Sequence, residues 1–166
     1  MPVINGKKLL AKKPIKNMFK EKIREHGVSH GMGEAGYDIR IKQEIRFFPS
    51  NMGPLVFVDG HLEEGRFCIA SAIEEFQMPS DLVGVVHDKS TWARQGLSVF
   101  NTVIEPGWNG FLTLELVFHG SKEIIIPAGA GIAQVIFSSL AHDAAYTGKY
   151  QDQEDAPVPS RFVNER

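Results

Sequence analysis

The stretch that decides the fold is residues 101–118, NTVIEPGWNGFLTLELVF, in which a Pro-Gly turn leads into a long apolar strand. Side chains alternate along a strand, so two faces are predicted. One face carries Leu112, Leu114, Leu116 and Phe118. The other carries Phe111, Thr113, Glu115 and Val117. Both sets are mainly apolar, which predicts that the strand is buried on both sides and that Glu115 is a carboxylate in an apolar setting.

Glu115 has two interpretations that the residues alone leave open. An isolated buried charge is costly, so such a carboxylate either holds a proton or has a dedicated partner. In the first interpretation Glu115 is basic enough to take a proton from water near neutral pH. In the second it is a structural carboxylate paired with an arginine, Arg40 or Arg94.

Length, charge and cysteine content limit the class of protein. The chain has 166 residues, which fits one domain with a real core. Its net charge of −2 disfavours a dedicated nucleic-acid binder. The single cysteine, Cys68, allows no internal disulfide and predicts a reducing, cytoplasmic location. No apolar run approaches the ~20 residues of a membrane span, so no membrane partner is expected.

The hydrophobic pattern predicts an all-β fold with a short N-terminal helix. Residues 1–14 are expected to form an irregular arm, residues 15–26 a short helix, and residues 27–36 a glycine-rich loop. Alternation begins at Tyr37. Short apolar runs then follow, separated by turn signals, at 55–58, 67–70, 82–86, 97–101, 110–118, 123–126 and 132–137. This spacing is typical of a sandwich, jelly roll or barrel.

We therefore expect a single domain over 1–166. Its parts are an arm and helix at 1–35, a β core at 36–140, and a polar, flexible tail at 141–166 without packed structure of its own.

Residues 88–96, DKSTWARQG, form the first candidate binding segment. Ser90 or Thr91 is predicted to cap one helical turn, which Gly96 ends. Amides and hydroxyls would then face one point, with Lys89 and Arg94 nearby, as suits a phosphate chain. An ordinary capped turn with two solvated cations explains the same composition.

Two further candidates are weaker by themselves. Glu105, at the Pro-Gly turn, is equally an exposed acid. Residues 146–153, YTGKYQDQ, combine aromatics, a lysine and amides that could fold over a nucleotide, or form a solvated terminus. The six histidines have no zinc-helix spacing and no cysteine pair beside them, and the signatures of zinc deaminases, phosphate loops and serine hydrolases are missing.

Taken in order, these segments resemble the dCTP deaminase and dUTPase superfamily over residues 36–153. The similar segments are residues 36–40 (GYDIR, a first strand motif), 88–97 (a phosphate-binding segment), 104–110 (IEPGWNG, usually Ile-Asp-Pro-Gly-Trp-x-Gly), 126–134 (a closing strand pair) and 148–151 (GKYQ, a nucleotide-covering tail). Glu115 matches the strand glutamate that deaminases have and pure dUTPases lack. The resemblance is therefore closest to dCTP deaminase, and implies a dUTPase-like distorted β-barrel or jelly roll.

The resemblance also implies an activity and a set of roles. The reaction is metal-independent deamination of dCTP to dUTP and ammonia, with Glu115 as general acid/base and Ser90 and Arg94 as its catalytic partners. Mg²⁺ would be held by the triphosphate, with no zinc. The family forms homotrimers with sites between subunits, and dTTP inhibition stays open. The implied nucleotide-binding residues are Lys89, Ser90, Thr91, Arg94, Asn101, Val103, Glu105, Trp108, Tyr146, Lys149 and Gln153.

The sequence departs from the family pattern around the base and sugar. Glu105 replaces the usual aspartate, and Asn101-Thr102-Val103 replace Ala-His-Arg. The segment between Arg94 and Glu105 is also shorter, and His87-Asp88 is atypical. Three alternatives follow: a bifunctional enzyme that also hydrolyses dUTP to dUMP and diphosphate, a deaminase of 5-substituted dCTP, and a non-catalytic nucleotide-binding β domain.

Overall fold

The computed structural model describes residues 2–162 as a mainly β protein with two short helices. Its elements follow the chain in this order: β1 (Val3–Ile4), α1 (Gly6–Lys12), β2 (Lys22–Glu25), β3 (Val28–Met32), β4 (Tyr37–Arg40), β5 (Ile45–Ser50), β6 (Gly53–Val58), β7 (His61–Glu64), β8 (Phe67–Gln77), β9 (Leu82–Asp88), α2 (Ser90–Ala93), β10 (Leu97–Val99), β11 (Val103–Ile104), β12 (Asn109–Phe118), β13 (Ile124–Ile126) and β14 (Gly131–Ser139). The predicted all-β class is confirmed.

The strands form three antiparallel sheets. The largest has the order β11-β9-β14-β4-β3-β2, and β1 adds to β14. A second sheet has the order β10-β12-β8, and the third has the order β13-β5-β6-β7. The strand β12 is therefore paired on both edges, which fixes its position.

One hydrophobic cluster draws side chains from all three sheets. Ile39 and Phe137 come from the large sheet, Leu116 from β12, and Phe47 from β5, and each is at most 1% exposed. Phe47 stacks on Phe118, with ring centroids 5.4 Å apart. The apolar side of β12 thus faces the common core, as its sequence requires.

The N-terminal predictions are wrong in detail. The helix spans Gly6–Lys12, where Leu9 is fully buried, and residues 15–26 are not helical. Ile15 instead forms a β-bridge with Phe76. Residues 22–32 form a hairpin, because His26 and Gly27 both adopt positive φ, as the tight turn between β2 and β3 requires. Pairing between strands therefore overrides the helical spacing of the apolar residues.

Two other segments also differ from their predictions. Residues 2–14 are not an irregular arm, since they contain β1 and α1 and are tied to the large sheet through β14. Residues 27–36 are not all loop, since β3 occupies most of them. The sequence pattern also missed β5 and β7, and it ended β8 seven residues too early, at Ala70 rather than Gln77.

The C-terminal segment has no helix or strand among residues 141–162, yet it packs on the core. Tyr146 N donates to Pro106 O at 2.8 Å, and Trp108 Nε1 donates to Tyr150 O at 2.6 Å. Gly110 forms a parallel bridge with Gln153. The segment is thus held against the start of β12. Residues 163–166, which the predicted tail also included, lie outside the described residues.

Gly131 is expected to be essential for the packing of β14 against β3. A Cβ built there would lie 2.0 Å from Ser29 O, so the backbones would have to separate. Trp92 Nε1 also donates to Gly131 O at 2.7 Å. We expect Gly131→Ala to lower the free energy of unfolding, measured by urea titration, by about 1–3 kcal/mol. Gly33→Ala is the control, since its nearest contact would be 3.3 Å, and an equal loss there would contradict the prediction.

Candidate active site

A cavity of about 560 Å³ lies over the outward face of β12. Strands β7, β8 and β11, the Pro-Gly turn and the C-terminal segment enclose it. The lining residues are Glu63, Phe67, Cys68, Ile69, Thr102, Val103, Ile104, Glu105, Trp108, Leu112, Thr113, Glu115, Tyr146, Tyr150, Gln153, Val158, Pro159 and Ser160. The cavity is thus mostly apolar with a few polar groups, which is typical of a small-molecule site.

Glu115 is half-buried in the wall of this cavity. Burial raises the pKa of Glu115 above that of an ordinary glutamate, and hydrogen bonds from its own backbone amide and from Thr102 oppose part of this rise. Among residues 2–162, no salt bridge involves Glu115. Within the described residues of one chain, Glu115 therefore forms no ion pair with Arg40 or Arg94.

Arg40 is instead paired with a buried structural carboxylate, Glu74 on β8. Glu74 is only 5% exposed, and its carboxylate accepts hydrogen bonds from Arg40 Nε at 2.9 Å and from Arg40 N at 2.8 Å. Burial raises the pKa of Glu74, and the bonds from Arg40 oppose that rise. Arg40 thus pairs with Glu74, whereas the sequence suggested Glu115 as its partner.

The two faces of β12 are not a simple alternation. The register with β8 shifts between Phe111 and Thr113, where the pairing is irregular. Leu112 consequently lines the cavity beside Thr113 and Glu115, while Leu114 and Leu116 remain in the core. The outward face is half-buried at Phe111, Glu115 and Val117 rather than fully buried.

The Pro-Gly turn brings predicted sugar and base residues to the same cavity. Glu105 lines this cavity and is also exposed to solvent. Its position therefore fits both an exposed turn acid and a residue of the site. Val103 and Trp108 line the cavity from either side of Glu105. Asn101 is exposed and does not line it.

The C-terminal segment supplies two of its three predicted residues to the cavity. Tyr146 and Gln153 line it. Lys149 is exposed and does not, because its ammonium group points to Arg161 O at 3.0 Å. Gln153 accepts a hydrogen bond from Thr113 Oγ1 at 3.0 Å, so its amide nitrogen stays free to donate elsewhere.

The predicted phosphate-binding corner is well formed but lies outside this cavity. Ser90, Thr91 and Arg94 are all exposed on or beside α2. The predicted cap is wrong: Lys89 is the N-cap, and no side chain caps the helix. Gly96 adopts a φ of +94° after the turn, as predicted for the residue that ends it.

Lys89 is not a solvated cation. Its side chain is 10% exposed and forms an ion pair with Asp38, which is itself buried. Lys89 Nζ also donates to Ser29 Oγ at 3.0 Å, and Gln134 Nε2 donates to Asp38 Oδ1 at 3.2 Å. This network joins the corner to β3, β4 and β14, so Lys89 holds the corner in place.

One chain therefore brings together only part of the predicted site. Glu115, Glu105, Val103, Trp108, Tyr146 and Gln153 share the cavity, while Lys89, Ser90, Thr91, Arg94, Asn101 and Lys149 do not. Among the described lining residues none is lysine or arginine, so the cavity has no cation to hold a phosphate chain.

Sequence reasoning missed several lining residues. Thr113 gave a signal, as a polar side chain in an apolar strand. Glu63, Cys68 and Val158 gave none, since they are distant in sequence and only the fold places them there. Within residues 2–162, no group of three His, Cys, Asp or Glu side chains has the arrangement of a metal site. No helix in that range is long and apolar enough to cross a membrane.

Comparisons with known proteins identify the family. A family model described as dCTP deaminase-like matches residues 59–140, which include α2, the Pro-Gly turn and β12. The dCTP deaminase of Herpetosiphon aurantiacus is 36% identical over 156 residues, covering 82% of this chain and 85% of that protein. The chain belongs to the dCTP deaminase family. Another relative is the dCTP deaminase of Campylobacter fetus, 34% identical over 165 residues, covering 87% of this chain and 88% of that protein.

Solved structures show the same fold. The 2'-deoxycytidine 5'-triphosphate deaminase of Agrobacterium tumefaciens matches with a TM-score of 0.57 at 18% identity, over 84% of this chain and 48% of that one. The dUTPase of EIAV matches with a TM-score of 0.51 at 20% identity, over 83% of this chain and 92% of that one. The predicted dUTPase-like fold is confirmed.

The environment of Glu115 predicts a pH-dependent effect on stability. Because burial raises the folded-state pKa of Glu115, the carboxyl binds its proton more tightly in the folded state than in the unfolded state. Stability therefore falls as pH rises between the two pKa values. Glu115→Gln removes this loss, so its free energy of unfolding should rise relative to that of wild type as pH increases above the unfolded-state pKa of about 4.3. Urea titrations at increasing pH, with Glu64→Gln as the exposed control, test this, and a pH-independent difference would contradict it.

Proposed function

We propose that this protein deaminates dCTP hydrolytically to dUTP and ammonia without a catalytic metal. Membership of the dCTP deaminase family supports this activity. The observation that carries the proposal is Glu115: a carboxylate without a salt bridge among the described residues, half-buried in an apolar cavity, with a raised pKa. Such a group can both accept and return a proton near neutral pH.

In the proposed mechanism, Glu115 takes a proton from a water molecule while the water oxygen attacks C4 of cytosine. Glu115 then gives protons to the ring nitrogen and to the departing amino group, so that dCTP and water become dUTP and ammonia. General acid–base help of this kind contributes ~10²–10⁴-fold, and correct placement of the water must supply much of the remainder. Ser90 and Arg94 would place the base and the water.

The Pro-Gly turn would bind the nucleoside. Glu105 lies at the cavity and would accept a hydrogen bond from the sugar 3′-hydroxyl. Val103, Trp108 and Tyr146 offer apolar contacts to the base and sugar, with Asn101 at the edge. The added methylene of Glu105, compared with aspartate, would place its carboxylate one methylene further from the backbone.

The triphosphate would need cationic groups, which the described lining of the cavity in one chain lacks. Ser90, Thr91 and Arg94 present hydroxyls and a guanidinium at the exposed corner, and Lys149 and Gln153 add donors from the C-terminal segment. Lys89 could reach a phosphate only by leaving Asp38. Mg²⁺, where bound, would be held by the phosphate oxygens and would neutralise part of their charge.

A homotrimer belongs to the same proposal, because it would place the corner of one subunit at the cavity of the next. The separation of cations from Glu115 within one chain supports this arrangement, since a cation-free cavity cannot hold a triphosphate. A reducing, cytoplasmic location is part of the proposal too, and is supported by the single cysteine, which is buried and free.

Glu115→Gln is expected to abolish ammonia release from dCTP while leaving nucleotide affinity largely intact. The amide keeps the size of the side chain but cannot accept a proton from water. Ammonia release and calorimetric binding of dCTP are the two measurements, and Glu64→Gln is the exposed control. Loss of binding together with activity would mean that Glu115 is structural. Binding by wild type without ammonia release would favour the non-catalytic nucleotide-binding domain.

Mixing two variants, one that lacks the guanidinium of Arg94 and one that lacks the carboxylate of Glu115, tests the shared site at a dCTP concentration too low for the first variant to bind. Arg94→Ala is expected to weaken dCTP affinity, because it removes the guanidinium at the corner, and Glu115→Gln removes the proton carrier. If each site takes Arg94 from one subunit and Glu115 from the next, trimers assembled from equal amounts of both variants regain about a quarter of the wild-type sites. Ammonia release after co-refolding measures this. No recovery from mixed trimers would place both residues of a site in one chain.

Two finer activities have support in the cavity. Glu105 lies in the same cavity as Glu115 and could orient a second water toward the α-phosphorus, giving dUMP and diphosphate. The apolar wall of Phe67, Ile69 and Val103 suits a substituent at C5 of cytosine. Product separation after incubation with dCTP and with 5-methyl-dCTP decides between these activities, and added dTTP tests inhibition. Accumulation of dUTP alone would exclude the bifunctional reaction.

A further inference from the structure

Thr113 is a buried polar residue of β12 that the mechanism does not use. It is 7% exposed, and its hydroxyl makes two hydrogen bonds: Thr113 Oγ1 donates to Gln153 Oε1 at 3.0 Å and accepts from Val158 N at 3.0 Å. One hydroxyl therefore joins two points of the C-terminal segment that are five residues apart. Both Gln153 and Val158 line the cavity that contains Glu115.

The two ends of this clamp differ in their other support. Gln153 is also held through its backbone, because Phe111 N donates to Gln153 O at 3.1 Å. Between the two ends, Lys42 forms an ion pair with Asp155 at 2.6 Å. On the C-terminal side, Arg161 N donates to Tyr150 Oη at 2.9 Å. Between these two anchors, the bond from Val158 N to Thr113 holds the segment at the cavity wall.

We propose that Thr113 is a positioning residue that clamps residues 153–160 over the cavity and so keeps water away from Glu115. Val158, Pro159 and Ser160 form part of the wall around Glu115, and Thr113 lies two residues from Glu115 on the same strand. A wall segment that moves away admits water and restores the ordinary hydration of the carboxylate. The catalytic part of this inference rests on the proposed function of Glu115.

Thr113→Val is the informative substitution, because valine has nearly the shape of threonine but cannot hydrogen-bond. We expect amide hydrogen exchange in residues 154–160, followed by mass spectrometry, to become roughly tenfold faster than in wild type. Thr113→Ser restores a hydroxyl and should return exchange toward wild type. Thr147→Val, an exposed threonine on the same segment, is the matched control. Unchanged exchange in Thr113→Val would overturn the clamp, whatever the activity of the protein.

The catalytic part has its own readout in the pH profile of kcat/KM for ammonia release. Glu115 must be ionised to accept a proton, and burial raises its pKa. Hydration of Glu115 in Thr113→Val lowers that pKa, so the acid limb of the pH profile should move to lower pH. KM should also rise in this variant. Thr113→Ser should keep the acid limb of wild type. Faster exchange with an unmoved limb would overturn the link to Glu115. General destabilisation alone would not move the limb.

Other ionisable groups face Glu115 and could affect the same limb. They are Glu63 from β7, Cys68 from β8, Glu105 from the turn, and Tyr146 and Tyr150 from the C-terminal segment. The pH profile is therefore also measured for Thr113→Val combined with Glu63→Gln. The shift of the acid limb caused by Thr113→Val should be as large there as in the wild-type background. A shift that disappears there would assign the limb to Glu63 and overturn the link. Absence of ammonia release from wild type would instead contradict the proposed function, and the exchange result would still decide the clamp.

Discussion

The structure depends on the pairing of β12 on both edges, with β8 and with β10. This pairing fixes one face of β12 against the common core and leaves the other face to be covered by something else. That other face carries the polar side chains Thr113 and Glu115. What covers them determines the chemistry available there, since hydration and nearby charge set the proton affinity of a carboxylate.

Two glutamates in the same sheet illustrate this point. Glu74, on β8, is buried and held by two hydrogen bonds from Arg40, so it ties β8 to β4. Glu115, on β12, is half-buried in a cavity whose described lining residues include no lysine or arginine. Burial raises the pKa of both carboxyls. The difference lies in the partner: a neutralised acid in a packed core is structural, while an unpaired acid beside open space is available to a substrate.

The same distinction applies to the cations. Lys89 is tied to Asp38 and thereby fixes the corner that carries Ser90 and Thr91. Arg94, by contrast, is exposed at the end of that corner. The single chain thus keeps an acid cavity and a basic corner apart. The C-terminal segment completes the cavity in the same chain, through contacts with the turn and with Thr113.

The sequence by itself determined the β class, the position of the main strands, the Pro-Gly turn and the placement of Glu115 within an apolar strand, because each follows from local alternation or from a short motif. The order of those motifs along the chain also indicated the family. The N-terminal helix was misplaced, since the apolar spacing of Ile15, Met18 and Ile23 suits a helix but strand pairing was more favourable. Only the tertiary structure decided which arginine meets which acid, that Lys89 is sequestered, and that Thr113 contacts Val158. These are contacts between residues far apart in the chain, and local patterns do not encode them.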